Sequence, residues 1–190
     1  MMNNFLSIMA RSVTILIILI FIALSSSVIY ALQVTAPPNI LVFLMDDMGI
    51  GDCRAYNKKS KVSMPNLEQI AEEGMRFTDA HAPAAVCAPT RYSVMTGNYP
   101  WRGRNPNGTW LFNMPSQVLK GQQTVGQLMK KVGYHTAFLG KVHLGGKVFS
   151  KSTGKPKLSM KGGFKDFDFG RKVENTPASF GFDYAYELPQ

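Results

Sequence analysis

The sequence predicts an α/β fold, a mostly parallel sheet flanked by helices. Three observations carry that expectation. Residues Asn39 to Met45 form a continuous apolar run of strand length, as expected of a parallel strand covered on both faces. Stretches of helical and of strand character alternate after it. Three strand-like segments are each followed by a loop of reactive residues, at the edge where open α/β sheets bind ligands. Those loops deliver Asp46 and Asp47, the Cys87 segment, and Lys141 with His143 towards one rim.

The chain of 190 residues is 45% hydrophobic and 11% aromatic, an ordinary globular composition that excludes disordered and collagen-like classes. Its start is set apart. Met1 to Arg11 leads into an unbroken greasy run from Val13 to Leu24, and small residues follow from Ser25 to Ala31. This pattern predicts a signal peptide over residues 1–31, cleaved after Ala31. The alternative is an uncleaved anchor, since Val13 to Leu32 approaches the ~20 residues needed to cross a bilayer. Either way the remainder is exported, to a periplasmic, secreted or lumenal location, and a membrane is a partner only if the segment stays uncleaved. Residues 32–38, ending in Ala36-Pro37-Pro38, read as a linker.

After the strand at 39–45, Asp46 and Asp47 stand at its carboxyl end, and Gly49 and Gly51 mark a turn. Leu67 to Glu73 reads as a short helix, with Asn66 suited to capping it, Leu67, Ile70 and Ala71 on one face and Gly74 placed to end it. Met75 to Ala80 alternates like a strand. Pro89 to Met95 reads as a helix opened by its proline, which places Cys87 just before it. Thr124 to Val132 reads as a helix closed by Gly133, and Tyr134 to Leu139 as the strand after it, with His135 as a structural residue inside that strand.

The two cysteines, Cys53 and Cys87, would form one disulfide in an oxidising compartment on first principles. The residues around Cys87 argue for another use of it. The net charge of +9 is concentrated, because nine basic residues fall between Lys141 and Lys172 against Asp166 and Asp168. Such a cluster attracts anionic polymers, but a Gly- and Ser-punctuated loop with solvated lysines is the preferred reading, and no nucleic-acid partner is expected.

Cys87-Ala88-Pro89-Thr90-Arg91, followed by Met95-Thr96-Gly97, resembles the signature of the formylglycine-dependent sulfatases, an arylsulfatase-like family with the alkaline-phosphatase-like fold. The spacing has its own physical sense: the start of a helix favours negative charge, and Arg91 one turn in can reach back to neutralise it. The resemblance implies that a formylglycine-generating enzyme oxidises Cys87 to an aldehyde, whose hydrate, a gem-diol, attacks sulfur. Asp46-Asp47-Met48-Gly49 is similar to the family's first metal segment, which implies calcium, with magnesium an alternative, held by Asp46, Asp47 and the modified Cys87. Gly140-Lys141-Val142-His143 is similar to a further block, implying that Lys141 clamps sulfate oxygen and His143 positions or deprotonates the diol. That block departs from the family at Val142, where tryptophan is common, which bears on local packing.

Gly181 to Tyr186, after Pro177, extends the resemblance to about Pro38–Tyr186. The family's later aspartate-asparagine metal pair, second lysine and second histidine have no counterpart before Gln190. The resemblance therefore implies that residues 39–190 are the N-terminal part of a catalytic domain, with an incomplete sheet and little activity alone. The expected reaction is hydrolysis of a sulfate ester, and residues between Trp101 and Gln123 are candidates for the leaving-group side. A phosphatase or phosphodiesterase of the same superfamily, or a non-catalytic fragment binding sulfated glycans, are the rival readings.

Overall fold

The structure, a computed structural model, describes residues 13–21, 36–107, 110–111, 113–157, 164–171, 173 and 175–188. Two units divide at Leu44 and Met45. In the first, residues 13–21 form helix α1 with exposed apolar side chains. The rest of the expected signal peptide lies outside the described residues, and no helix among those described is long and apolar enough to cross a membrane. Residues 39–45, expected as the first strand, form no regular element, and Leu41 is 76% exposed. A strand of this kind is stabilised by ladders on both edges, and among the described residues none pairs with it.

The second unit carries the site. It opens with a tight 3₁₀ turn at Ile50–Asp52, where the Asp52 carboxylate accepts from the Gly49 N–H at 2.8 Å. Helix α2, Pro65–Glu73, starts two residues before the expected position. Pro65, whose φ is already helical, opens it, and the N-cap is Met64 without a side-chain hydrogen bond, so Asn66 is no cap. The face of Leu67, Ile70 and Ala71 contributes no buried residue. The expected strand at 75–80 is likewise irregular and exposed. Arg76 instead ties that segment to the preceding turn, donating to the Ala55 carbonyl and lying over the Tyr56 ring.

Helix α3 runs Cys87–Thr96, so Cys87 is its first residue and not the one before it. Proline is tolerated throughout a first turn, because N–H groups there have no intrahelical acceptor, and Pro89 therefore sits third. Gly97 ends the helix at φ 68. Helix α4, Val125–Lys131, lies within the expected Thr124 to Val132, with Thr124 as its N-cap: Thr124 Oγ1 accepts from Gln127 N at 3.3 Å, and Gln127 Oε1 accepts from Thr124 N at 3.2 Å.

Strand β1 is Ala137–Lys141, about two residues later than expected, and His135 is an exposed residue ahead of it. It pairs in parallel with β2, Tyr184–Leu188, in the register Ala137↔Tyr184 to Lys141↔Leu188. Asp183 fixes that register. Its Oδ2 accepts from the backbone and hydroxyl of Thr136, both at 3.0 Å, and its Oδ1 meets Lys130 Nζ.

The main core lies between these elements. Ala88, Tyr92 and Met95 of α3 pack with Trp110, Val142, Leu144 and Phe180, all buried. Tyr92 and Trp110 meet edge to face at 6.0 Å, and the indole N–H donates to Asn105 O at 3.1 Å. A satellite lies in the basic segment. There Phe149 and Phe167 are buried, antiparallel bridges join Phe149 to Pro156 and Ser150 to Phe167, and Arg171 stacks 3.5 Å over Phe149. The expected solvated loop is thus a small folded ribbon, because its cations lie along aromatic faces.

Two outcomes test this packing. Trp110→Ala should lower unfolding free energy in urea by about 3–5 kcal/mol, as for a large aromatic removed from a core; a loss below ~1 kcal/mol would refute its central place. Lys130 and then Thr136 hold the Asp183 carboxyl at about 2, below its usual 3.8, so its contribution is complete above pH ~4 and fades as pH falls towards 2. The melting-temperature gap between the unaltered chain and Asp183→Asn should therefore narrow from pH 6 to pH 2.5. A constant gap would contradict the linkage.

Candidate active site

Periodicity explains how the site assembles. On α3, Ala88, Tyr92 and Met95 recur at helical spacing and face the core, so the adjoining stripe with Cys87 and Arg91 lies at the core's border. Where β1 ends, alternation puts Val142 and Leu144 inside and leaves Lys141 and His143 partly exposed. Packing the two apolar sets together brings the two polar sets together. Val142, the departure from the family block, is 2% exposed and fills its place in the core.

The resulting contacts are direct. Cys87 Sγ lies 3.3 Å from His143 Nδ1. Arg91 Nη1 donates to the Lys141 carbonyl at 2.8 Å, across fifty residues of sequence, and its Nη2 lies 3.5 Å from Asp46 Oδ1. Lys141 Nζ meets Asp46 Oδ2 at 3.0 Å. Asp46, Cys87, Arg91, Lys141 and His143 thus form one cluster. Asp47 follows at φ 58 and makes no ion pair or hydrogen bond among the described residues. Thr90, a mere spacer in the sequence, donates to Ala84 O at 2.6 Å and anchors the loop before Cys87; its position one helical turn from that loop was the available signal.

The electrostatics are cationic. The hydrogen bond from Lys141, with the charges of Lys141 and Arg91, holds the Asp46 carboxyl below its usual value. Burial first, and then the same two cations, push His143 below the ordinary imidazole value, which favours the neutral ring. Arg91 Nε is buried without a partner among the described residues. An unpaired buried donor costs about 1–3 kcal/mol, so the site is primed for an acceptor there.

Carboxylates are the right donors for calcium. The fit of the described residues is only partial, however. Both Asp46 oxygens already face cations, and no group of three or more His, Cys, Asp or Glu gathers as a metal cage. Both cysteines are free thiols, Cys53 buried within the 50–57 turn and Cys87 beside His143.

Comparison with known proteins fits this arrangement. The Sulfatase family's sequence model matches residues 38–187. The chain belongs to the sulfatase family. An N-acetylgalactosamine-6-O-sulfatase of Bacteroides thetaiotaomicron is 35% identical over 157 residues, 83% of this chain and 27% of that protein. Human arylsulfatase A is 37% identical over 60% of the chain and 22% of its own length. A solved structure from a study of glycosaminoglycan metabolism by B. thetaiotaomicron superposes with a TM-score of 0.60 at 33% identity, covering 76% of this chain and 26% of the other. The α/β, alkaline-phosphatase-like fold of the sulfatases is therefore shared. The chain spans about a quarter of the length of these relatives.

Arg91 joins three parts of this cluster, so its removal should be felt in the fold. Arg91→Ala should destabilise the chain by about 1–3 kcal/mol in urea, through the Lys141 carbonyl and Asp46 left without it. Arg91→Lys should restore less than half, since one ammonium cannot span both acceptors. Full restoration by lysine would refute the two-point contact.

Proposed function

We infer that the chain is the N-terminal portion of an exported enzyme that hydrolyses sulfate esters, with Cys87 converted to formylglycine as its nucleophile. Residues 1–31 serve as signal peptide, 32–38 as linker and 39–190 as the first part of the catalytic domain. The observation that carries this reading is the contact of Cys87 with His143 at the first turn of α3, inside a cluster holding Arg91 and Lys141. Supporting it are the sulfatase family match and the names of the relatives.

In the unmodified chain the Cys87 sulfur marks where the diol oxygens would lie. A neutral His143 at hydrogen-bond distance accepts the proton of one hydroxyl as that oxygen attacks sulfur in line and the alcohol leaves. Loss of the second hydroxyl proton then expels sulfate and regenerates the aldehyde, a route closed to a serine. Lys141 and the Arg91 guanidinium would meet the charge that develops on the sulfuryl oxygens, supported by Asp46 and the Lys141 carbonyl. Calcium, or magnesium, would be bound through Asp46, Asp47 and the modified Cys87, and would add Lewis-acid stabilisation of sulfuryl charge. Further oxygen donors are needed for a complete shell. The partners of this reading are a sulfate-ester substrate and a formylglycine-generating enzyme.

Co-expression with that enzyme should convert Cys87 to an aldehyde, detected by mass spectrometry of its peptide and by hydrazide capture. Cys87→Ala in an enzyme carrying the whole catalytic domain should lower aryl sulfate hydrolysis by several orders of magnitude. A thiol left unmodified throughout, or turnover that survives Cys87→Ala, would overturn the assignment.

A further inference from the structure

Asn107-Gly108-Thr109 is an Asn-X-Thr triplet whose middle residue is not proline, and no other asparagine of the chain has serine or threonine two residues on. In an exported chain such a triplet is an acceptor for asparagine-linked sugar, provided that it lies on the surface. The structure describes Asn107, while Gly108 and Thr109 enter through the sequence alone. Thr109 supplies the hydroxyl that the transferase needs two residues after the acceptor, and a glycine between them restricts the backbone least.

The fold puts the acceptor where a bulky polar group can be carried. Asn107 is exposed, between two anchors that tie its loop to the core. On one side Asn105 N donates to the Oε1 of the buried Gln117 at 2.9 Å. On the other, fully buried Trp110 donates from its indole to Asn105 O at 3.1 Å. Asn105 Oδ1 accepts from Asn107 N at 3.4 Å, an asparagine turn that leads the chain out to the acceptor.

The side-chain amide of Asn107 is also free to react. Asn57 Nδ2 is engaged by Gly51 O and Asn98 Nδ2 by Thr96 O, each at 2.9 Å, and Asn113 is buried. The Asn107 side chain has no hydrogen bond among the described residues. Surface position, an unengaged nucleophile and the hydroxyl at the right spacing thus meet at one asparagine.

We propose that Asn107 is a glycosylation site, modified in an export compartment that holds an oligosaccharyltransferase. The inference rests on the export reading above and is independent of the chemistry of Cys87. Asn107 Nδ2 attacks the anomeric carbon of a polyprenyl-pyrophosphate-linked oligosaccharide. A C–N bond forms, the C–O bond to pyrophosphate breaks, the polyprenyl pyrophosphate leaves with the electron pair, and the amide gives up one proton. Nothing is oxidised or reduced. Trp110 keeps its core contacts, because the sugar is attached outside the anchors.

Translation of the full chain in the presence of microsomes tests the proposal, read as a mobility shift removed by endoglycosidase. The unaltered chain should gain a single glycan. Asn107→Gln and Thr109→Ala should each abolish it, whereas Thr109→Ser and Asn105→Gln should retain it. Transfer to the entering chain precedes folding, so these readings do not require a folded variant. Release by an amide-cleaving glycosidase in heavy-oxygen water should label the peptide that carries residue 107 and no other. Loss of residues 1–31 and protection from added protease report export separately, and a second chain, with residues 1–31 replaced by an established cleaved signal, enters in any case. A glycan on that second chain alone would overturn the export reading and leave the acceptor chemistry standing. A protease-protected chain without a glycan, or a glycan that survives Asn107→Gln or Thr109→Ala, would overturn the proposal itself.

Discussion

The packing of α3 against the exit of β1 is the constraint on which the site depends. Cys87 and Arg91 lie about fifty residues from Lys141 and His143, and nothing local holds the pairs together. What does so is apolar: Ala88, Tyr92 and Met95 on one side, Val142 and Leu144 on the other, closed by Trp110 and Phe180. Burial is non-directional, but the two periodicities are not, and a helix and a strand that bury one face must present a fixed neighbouring face at the border. The geometry of the polar cluster follows from core geometry, so a change in the core moves Cys87 and Arg91 relative to Lys141 and His143.

The polar cluster adds a second layer of control. Arg91 and Lys141 share Asp46, and Arg91 also grips the Lys141 backbone. Burial, and then the positive charge that two cations leave in excess of one carboxylate, lower the imidazole value of His143, and that excess favours an anionic visitor. Asp46 is therefore held between the two cations and in turn fixes their positions relative to each other.

Legibility in the sequence followed the range of the interaction concerned. Cys87, Pro89 and Arg91 were readable because a helix start and a charge one turn later are local facts, and the helix at Thr124 to Val132 was readable for the same reason, though not that Thr124 caps it. The α/β class and the family also came through. The strands at 39–45 and 75–80 did not, because an apolar or alternating run states only that a strand could form, whereas a ladder needs partners supplied by distant sequence. Strand β2 was missed for the converse reason: Tyr184 to Leu188 has weak alternation, and its pairing is set by Asp183 on Thr136. Asn66 looked like a cap and was displaced by Pro65, which fits the first helical position better than it fits any position before it.

The basic segment shows how charge counting misleads without packing. Nine cations in a short stretch suggested a solvated loop, yet Lys147, Lys157 and Arg171 lie over Phe149 and Phe167, and Asp166 is clamped by Lys157, Ser150 and Ser152 well below its usual range. Cations used in this way build structure and are poorly available to a polymer sliding past. The charge that remains available is therefore not where the count is highest. It includes Arg104 and Lys120, outside the dense run, neither of which faces a carboxylate among the described residues.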